Sequence, residues 1–170
     1  DHMQTLRQKN PDQSVQLYIL EGQVLSDAGL TQSAYDLYTT ALTANSDNED
    51  LLYARALTAE KLGDLAAAER DMRRILANDP DNVRTQNALG YTLADQTDRY
   101  EEALVYITSA YEKTPDDPAV IDSMGWVNYR LGNLEEARNF LQQAWEMTRD
   151  GEIGAHLGEG MWMQGDRDDA

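Results

Sequence analysis

The chain has 170 residues, 41% of them hydrophobic, with a formal charge of −17 at pH 7 and no cysteine. That length and apolar content suffice for one core-bearing domain, and the missing cysteine excludes disulfides, thiolate zinc sites and a cysteine nucleophile. The charge argues against nucleic acid and anionic membrane as partners, and no stretch approaches the roughly 18 to 20 apolar residues of a membrane span.

In chain order, residues 1–14 come first. His2 and Met3 read as a cloning-site remnant, and Gln4 to Pro11 as the last turns and terminal proline of a repeat whose beginning is missing. The opening residues do not read as a signal peptide. From residue 15 a pattern recurs: Gly22, Gly29, Ala34; Ala56, Gly63, Ala68; Gly90, Thr97, Ala103; Gly125, Gly132, Ala137; Gly158, Gly165, Ala170. The closing alanines stand 34, 35, 34 and 33 residues apart. Such a period marks a stacked helical array, and the expected repeats are 15–48, 49–82, 83–117, 118–150 and a partial one at 151–170. Neither terminal repeat carries an obvious polar cap, so the chain is expected to be a segment of a longer array.

Each repeat reads as two helices of about 13 to 15 residues. Gly29, Gly63, Gly132 and Gly165 stand where the first helix ends, because glycine takes the left-handed conformation of a helix C-terminus without a Cβ clash. Asp64, Asp98, Asn133 and Asp166 follow as N-cap candidates. Between repeats, Asn78 to Asn82 and Thr114 to Pro118 stop one helix and start the next, with Pro118 at a first helical position. Breaks are therefore expected near residues 29, 47, 63, 80, 97, 116, 132 and 150. Gly22, Gly90, Gly125 and Gly158 are interior to helices, where glycine costs about 1 kcal/mol relative to alanine. A compensating close approach to the second helix, near Ala34, Ala103, Ala137 and Ala170, is the reading that fits. Tyr18, Leu52, Ile121, Tyr38, Met72, Ile107 and Leu141 flank those crossings as core. Glu21 and Arg55 occupy equivalent, normally apolar positions one repeat apart and are expected to pair, directly or through a polar neighbour.

The recurring order of a large residue, Gly, a large residue, Gly, Ala, a large residue and Ala closely resembles the tetratricopeptide repeat. In the fourth repeat it reads Ile121, Met124-Gly125, Asn128, Gly132, Ala137, Leu141, Ala144. Departures are Glu21, Arg55 and Asn128 for apolar or large residues, Ser46 and Arg149 for the terminal proline, and Thr97 for the turn glycine. The resemblance implies an all-α solenoid of antiparallel helix pairs, wound as a right-handed superhelix. It also implies a groove lined by the first helices, and places there Tyr53 and Leu57, Tyr91, then Trp126, Tyr129 and Arg130, and last Trp162 and Met163. Aromatics and arginine are the residues enriched at binding hot spots. Ile19, Gln23 and Tyr53 stand where family members that clamp a peptide carboxylate carry their Lys-and-Asn set, so such a clamp is not expected.

Chemistry finds little support. With His2 read as a cloning-site remnant, His156 is the only native histidine, so a two-histidine metal site is excluded by count, a catalytic triad is not expected, and His156 reads as a surface residue. Glu101-Glu102, Glu135-Glu136 and Asp168-Asp169 sit at the starts of second helices, where they complement the helix dipole. The glycines are spaced by helical register and not as a phosphate loop. Catalytic, metal and cofactor sites are thus all expected to be absent, and the function to be a non-catalytic protein-interaction scaffold with protein or peptide partners. The run Asp122 to Ala137, DSMGWVNYRLGNLEEA, and Ala155 to Gly158, AHLG, are similar to the C-terminal repeats of Gram-negative outer-membrane lipoproteins of this family. One of these is the adaptor of a periplasmic carboxyl-terminal processing protease and delivers cell-wall hydrolases to it. That resemblance implies a periplasmic location through a lipidated N-terminus outside this segment. A cytoplasmic location, a substrate-recognition arm of a larger enzyme, or a repeat of an export or pilus-assembly machine are the alternatives.

Overall fold

The computed structural model describes residues 2–164, apart from the side chains of residues 2, 4, 8, 11 and 160–164. Among the described residues every regular element is helical. The chain falls into two compact units, one ending at Pro80 and the other beginning at Asp81. The first holds α1 (His2–Lys9), a short 3-10 turn (Pro11–Gln13), α2 (Ser14–Asp27), α3 (Thr31–Leu42), α4 (Glu49–Lys61) and α5 (Leu65–Asn78). The second holds α6 (Val83–Gln96), α7 (Tyr100–Lys113), α8 (Pro118–Arg130), α9 (Leu134–Thr148) and α10 (Gly151–Gln164). All eight expected breaks fall between helices. Connections this short leave antiparallel neighbours as the only arrangement, and α2 packs on α3, α4 on α5, α6 on α7 and α8 on α9.

Cap chemistry accounts for the boundaries. Gly29, Gly63 and Gly132 have φ of +77°, +78° and +83°, the left-handed turn that ends a first helix; Gly165 lies outside the described residues, as do Asp166, the Asp168-Asp169 pair and Ala170. Asp64 caps α5 by accepting the Ala67 N–H, and Asn48, Asn82 and Asp117 cap α4, α6 and α8 in the same way. Two expected caps differ. Arg99, and not Asp98, stands at the N-cap of α7, without a side-chain bond. The cause is Thr97, whose hydroxyl donates to the Leu93 carbonyl at 2.6 Å and accepts the Arg99 N–H at 3.1 Å, turning the chain without a glycine. Asn133 holds the N-cap position of α9 but makes no capping bond. Its amide instead donates to the Asn128 side chain at 3.1 Å, and Asn128, buried where the family pattern has a large residue, donates to the Met124 carbonyl.

The interior glycines are sites of close helix approach. A Cβ on Gly22, Gly90 or Gly125 would lie 2.2, 2.5 or 2.6 Å from Tyr38, Ile107 or Leu141, respectively. The crossing thus centres one turn beyond the expected alanines, although the Ala103 carbonyl lies 3.0 Å from the Gly90 position. Leu52, Met72, Ile107, Ile121 and Leu141 are fully buried and Tyr38 nearly so, as expected. Tyr18 is half-buried beneath the Arg7 guanidinium.

Glu21 and Arg55 do not pair with each other. Glu21 binds Arg7 of α1. Arg55 makes a two-pronged bond to Asp71 of α5, Nε at 2.6 Å and Nη2 at 2.9 Å, and reaches Thr39 with Nη1 at 3.3 Å. A carboxylate within its own helix pair meets both guanidinium prongs, which a single level partner on α2 does not better.

Two outcomes are expected. Gly125→Ala should lower stability by about 1 to 3 kcal/mol despite its better helix propensity, and the loss should shrink in a Leu141→Ala background, read by denaturant melts. Arg55→Met leaves the buried Asp71 carboxylate to the exposed Arg70 at 3.5 Å and should cost about 3 kcal/mol, most of it recovered when Asp71 is replaced by Met as well.

Candidate protein-binding groove

Tyr53 and Leu57 lie on α4 of the first unit, both half-buried, Tyr53 against the cluster that contains Tyr38, Leu42 and Leu52. The remaining described candidates belong to the second unit, where α8 packs against both α6 and α10. Trp162 and Met163 fall among the side chains outside the described residues. The repeat period explains why the others meet. Residues about 34 apart stand level on successive first helices, so Arg130 of α8 reaches Asp95 of α6, and His156 of α10 reaches Asp122 of α8.

Trp126 is the centre of this arrangement. It is 6% exposed, with the Tyr129 ring stacked at 5.2 Å and the His156 ring stacked on it at 4.3 Å. Its buried indole N–H has no acceptor among the described residues. Arg130 adds its guanidinium at 5.8 Å from the Trp126 ring and 4.9 Å from the Tyr100 ring. The same group donates to the Asp95 carbonyl and the Tyr100 hydroxyl, each at 2.9 Å. Both acceptors are neutral. Tyr91, Tyr129 and Arg130 remain half-exposed beside this packed core, whereas Trp126 is mostly spent on internal packing.

His156 departs from its expected surface position. It is 8% exposed, and its Nδ1 lies 2.9 and 3.1 Å from the two carboxylate oxygens of buried Asp122. Its Nε2 is 3.4 Å from the Tyr91 hydroxyl, which donates to Glu152 at 3.1 Å. The reason is the register of α10. Ile153 is buried against Ile121 and Ala144, and Gly154 takes the close approach, a Cβ there lying 2.9 Å from the Trp145 ring. With Ile153 inward, His156 three residues later falls on the same face.

Electrostatics follow from burial and these partners. Burial opposes a charge on His156, but the hydrogen bond and charge of Asp122, with Glu152 and Asp95, outweigh it and raise the imidazole above its ordinary value. Burial first, then Asp95 and Glu152, push Tyr91 well above the usual phenol range. Tyr129 is raised by burial and by its 3.1 Å hydrogen bond to Glu159. No group of His, Asp and Glu among the described residues could hold a metal ion, and no described helix is long and apolar enough to cross a membrane.

The tetratricopeptide repeat family model matches residues 19–82 and 53–118, and a second tetratricopeptide model matches 94–157. The chain belongs to the tetratricopeptide repeat family. It is 46% identical over 153 residues to the TPR repeat-containing protein PA4667 of Pseudomonas aeruginosa, covering 90% of this chain and 26% of that protein. The type IV pilus assembly protein PilF of the same bacterium is 26% identical over 144 residues, 84% of this chain and 57% of its own length. The chain therefore spans about a quarter of the first relative and somewhat over half of the second. A tetratricopeptide repeat protein from Parabacteroides merdae superposes with a TM-score of 0.80 at 20% identity, over 96% of this chain and 64% of that one. Proteins of this family are in general interaction scaffolds without catalytic function.

Of the residues singled out in sequence, the structure brings together Tyr91, Trp126, Tyr129 and Arg130. Asp122, a groove position in the family pattern as well, lies with them, and His156, Glu152 and Tyr100 are the additional members. The one-repeat separation of Asp122 and His156 was the available signal. Arg130→Lys keeps the charge but loses the planar fork and the ring contacts, and should cost about 1 kcal/mol in a urea melt.

Proposed function

We propose that this chain is a protein-binding segment of an adaptor, and that partners engage the first helices of the second unit at Tyr91, Tyr129 and Arg130. More finely, the partner is a periplasmic carboxyl-terminal processing protease, its cell-wall hydrolase substrates, or both, with the parent protein held at the outer membrane by a lipidated N-terminus. The observation that carries the binding reading is the half-exposed edge of a rigid aromatic and guanidinium platform. Its groups are already ordered by internal bonds, so a partner would lose little side-chain freedom on docking. The finer reading is supported by the resemblance of Asp122 to Ala137 to lipoprotein adaptor repeats. Residues 122–130 of this run lie in α8 and carry Trp126, Tyr129 and Arg130.

A second reading, a repeat of a pilus-assembly machine, is favoured by the likeness to PilF. Here the groove is the same and the partner would be a pilus component. A catalytic domain elsewhere in the parent chain would instead make this a substrate-recognition arm.

Calorimetric titration with the purified processing protease of the same cell is the test. Trp126→Ala is the wrong probe, since emptying a buried indole site costs about 3 to 5 kcal/mol of fold stability. Tyr129→Ala and Arg130→Ala should each weaken binding by roughly tenfold to thirtyfold, whereas Val105→Ala, on α7 and 67% exposed, should not. Equal affinities for parent and both groove variants would remove the platform from the interface. No binding by the parent would sink the protease as partner.

A further inference from the structure

The hydrogen bonds around His156 run in one direction. Tyr91 donates its proton to Glu152 of α10, so its oxygen is left to accept from Nε2–H of His156, while Nδ1–H of the same ring donates to Asp122. Only an imidazolium donates from both nitrogens. A neutral ring that keeps its bond to Asp122 turns Nε2 into an acceptor. Tyr91 must then swing its proton to His156 and release Glu152, or leave a buried nitrogen unpaired. Either course removes one of the two links from α6 to α10.

We propose that Asp122, His156, Tyr91 and Glu152 form a protonation-set clasp that holds α10 against α6 and α8 and fixes the Trp126 platform. The geometry places one member or more on each of three helices. Asp122 comes from α8, Tyr91 from α6, and His156 and Glu152 from α10. The imidazole stacks on Trp126, whose other neighbour, Tyr129, forms the groove edge. The charged and titratable groups around the ring are few. From α6 come Tyr91 and the carboxylate of Asp95; from α8, Asp122, with Arg130 lying over the Trp126 ring; from α10 itself, Glu152. The α9 side meets α10 through Ala144, Phe140 and Trp145, with Arg149 stacked on Trp145.

The sign of the effect follows from the raised imidazole. A histidine whose folded value exceeds its unfolded value of about 6.5 contributes stability that is fully present below about pH 6.5 and is lost as pH rises through the folded value. The clasp is thus closed below about pH 6.5 and opens as pH rises through the raised value.

The test uses the whole chain and needs no partner. Imidazole resonances of the two histidines, His156 assigned by its absence in His156→Asn, should show His156 titrating above His2, with the Trp126 indole N–H resonance moving in step. The melting temperature of the parent should fall between pH 6.5 and pH 9, while those of His156→Asn and Asp122→Asn stay level. Tyr91→Phe keeps the His156–Asp122 bond, removes the link to Glu152, and should show a reduced fall. It serves as the milder variant if His156→Asn does not fold. Parallel pH profiles for parent and variants, or His156 titrating at or below His2, would overturn the clasp. The consequence for binding rests on the groove reading above: protease affinity should weaken at least threefold from pH 6.5 to pH 9. Absence of binding at every pH sinks that reading, and the resonances and melts decide the clasp without it.

Discussion

Helices in this chain approach so closely that a single methyl group would not fit between them, and the rest of the architecture depends on that closeness. At Gly22, Gly90 and Gly125 the first helix of a pair presses its backbone against a large side chain of the second, Tyr38, Ile107 or Leu141. Glycine in a helix is a propensity cost of about 1 kcal/mol, so three such residues are tolerable only where contact recovers more. The contact fixes rotation as well as distance. Once Gly125 faces Leu141, the helical period sets Asp122, Trp126 and Tyr129, three or four positions from one another, along the flank of α8 beside that contact. The groove is in this sense a by-product of packing.

Repetition then supplies the long-range bonds. Because first helices recur about every 34 residues, any two residues that far apart stand level, and their side chains need little reach. Arg130 to Asp95 and His156 to Asp122 are both of this kind, at separations of 35 and 34. The same geometry did not join Glu21 to Arg55, and the contrast is informative. Asp71 sits behind Arg55 within the helix pair and is 2% exposed, a buried carboxylate that needs a cation more than Glu21 does. Level position creates the opportunity for a bond, and the most desolvated partner takes it.

The fold was legible because its determinants are local. Left-handed glycines, N-caps and the proline at the start of α8 act over a few residues, and the repeat multiplies each one until the period cannot be missed. What escaped was also local in cause. Thr97 replaced a turn glycine with a hydroxyl that bonds both ways along the chain, shifting the start of α7 by a residue. The burial of His156 escaped because it depends on a contact between α10 and the helix before it. A Cβ on Gly154 would stand 2.9 Å from the Trp145 ring of α9, and with Gly154 toward that ring and Ile153 buried, His156 turns inward. Shape complementarity with a side chain nine positions away in sequence decided it, and periodicity alone carries no information about that.

The distribution of charge completes the argument. In a chain with a net charge of −17, a cation on the first helices of the second unit is a scarce feature, and both of those at the platform are fastened by stacking and hydrogen bonds. Arg130 is fastened by neutral oxygens and aromatic faces, which leaves its charge uncompensated at close range by those contacts. His156 spends its charge on Asp122. The field at the groove edge therefore combines one fixed positive group with the acidic rim of Asp95, Glu152 and Glu159. Exposed rim charges are screened over about 8 Å at physiological ionic strength. They can steer a partner and repel acidic surfaces at long range, but only contacts within the platform retain their strength once water is excluded. Under the proposed binding role, selectivity would come from the fixed aromatic edges and Arg130, and the diffuse acidity would set how fast partners arrive.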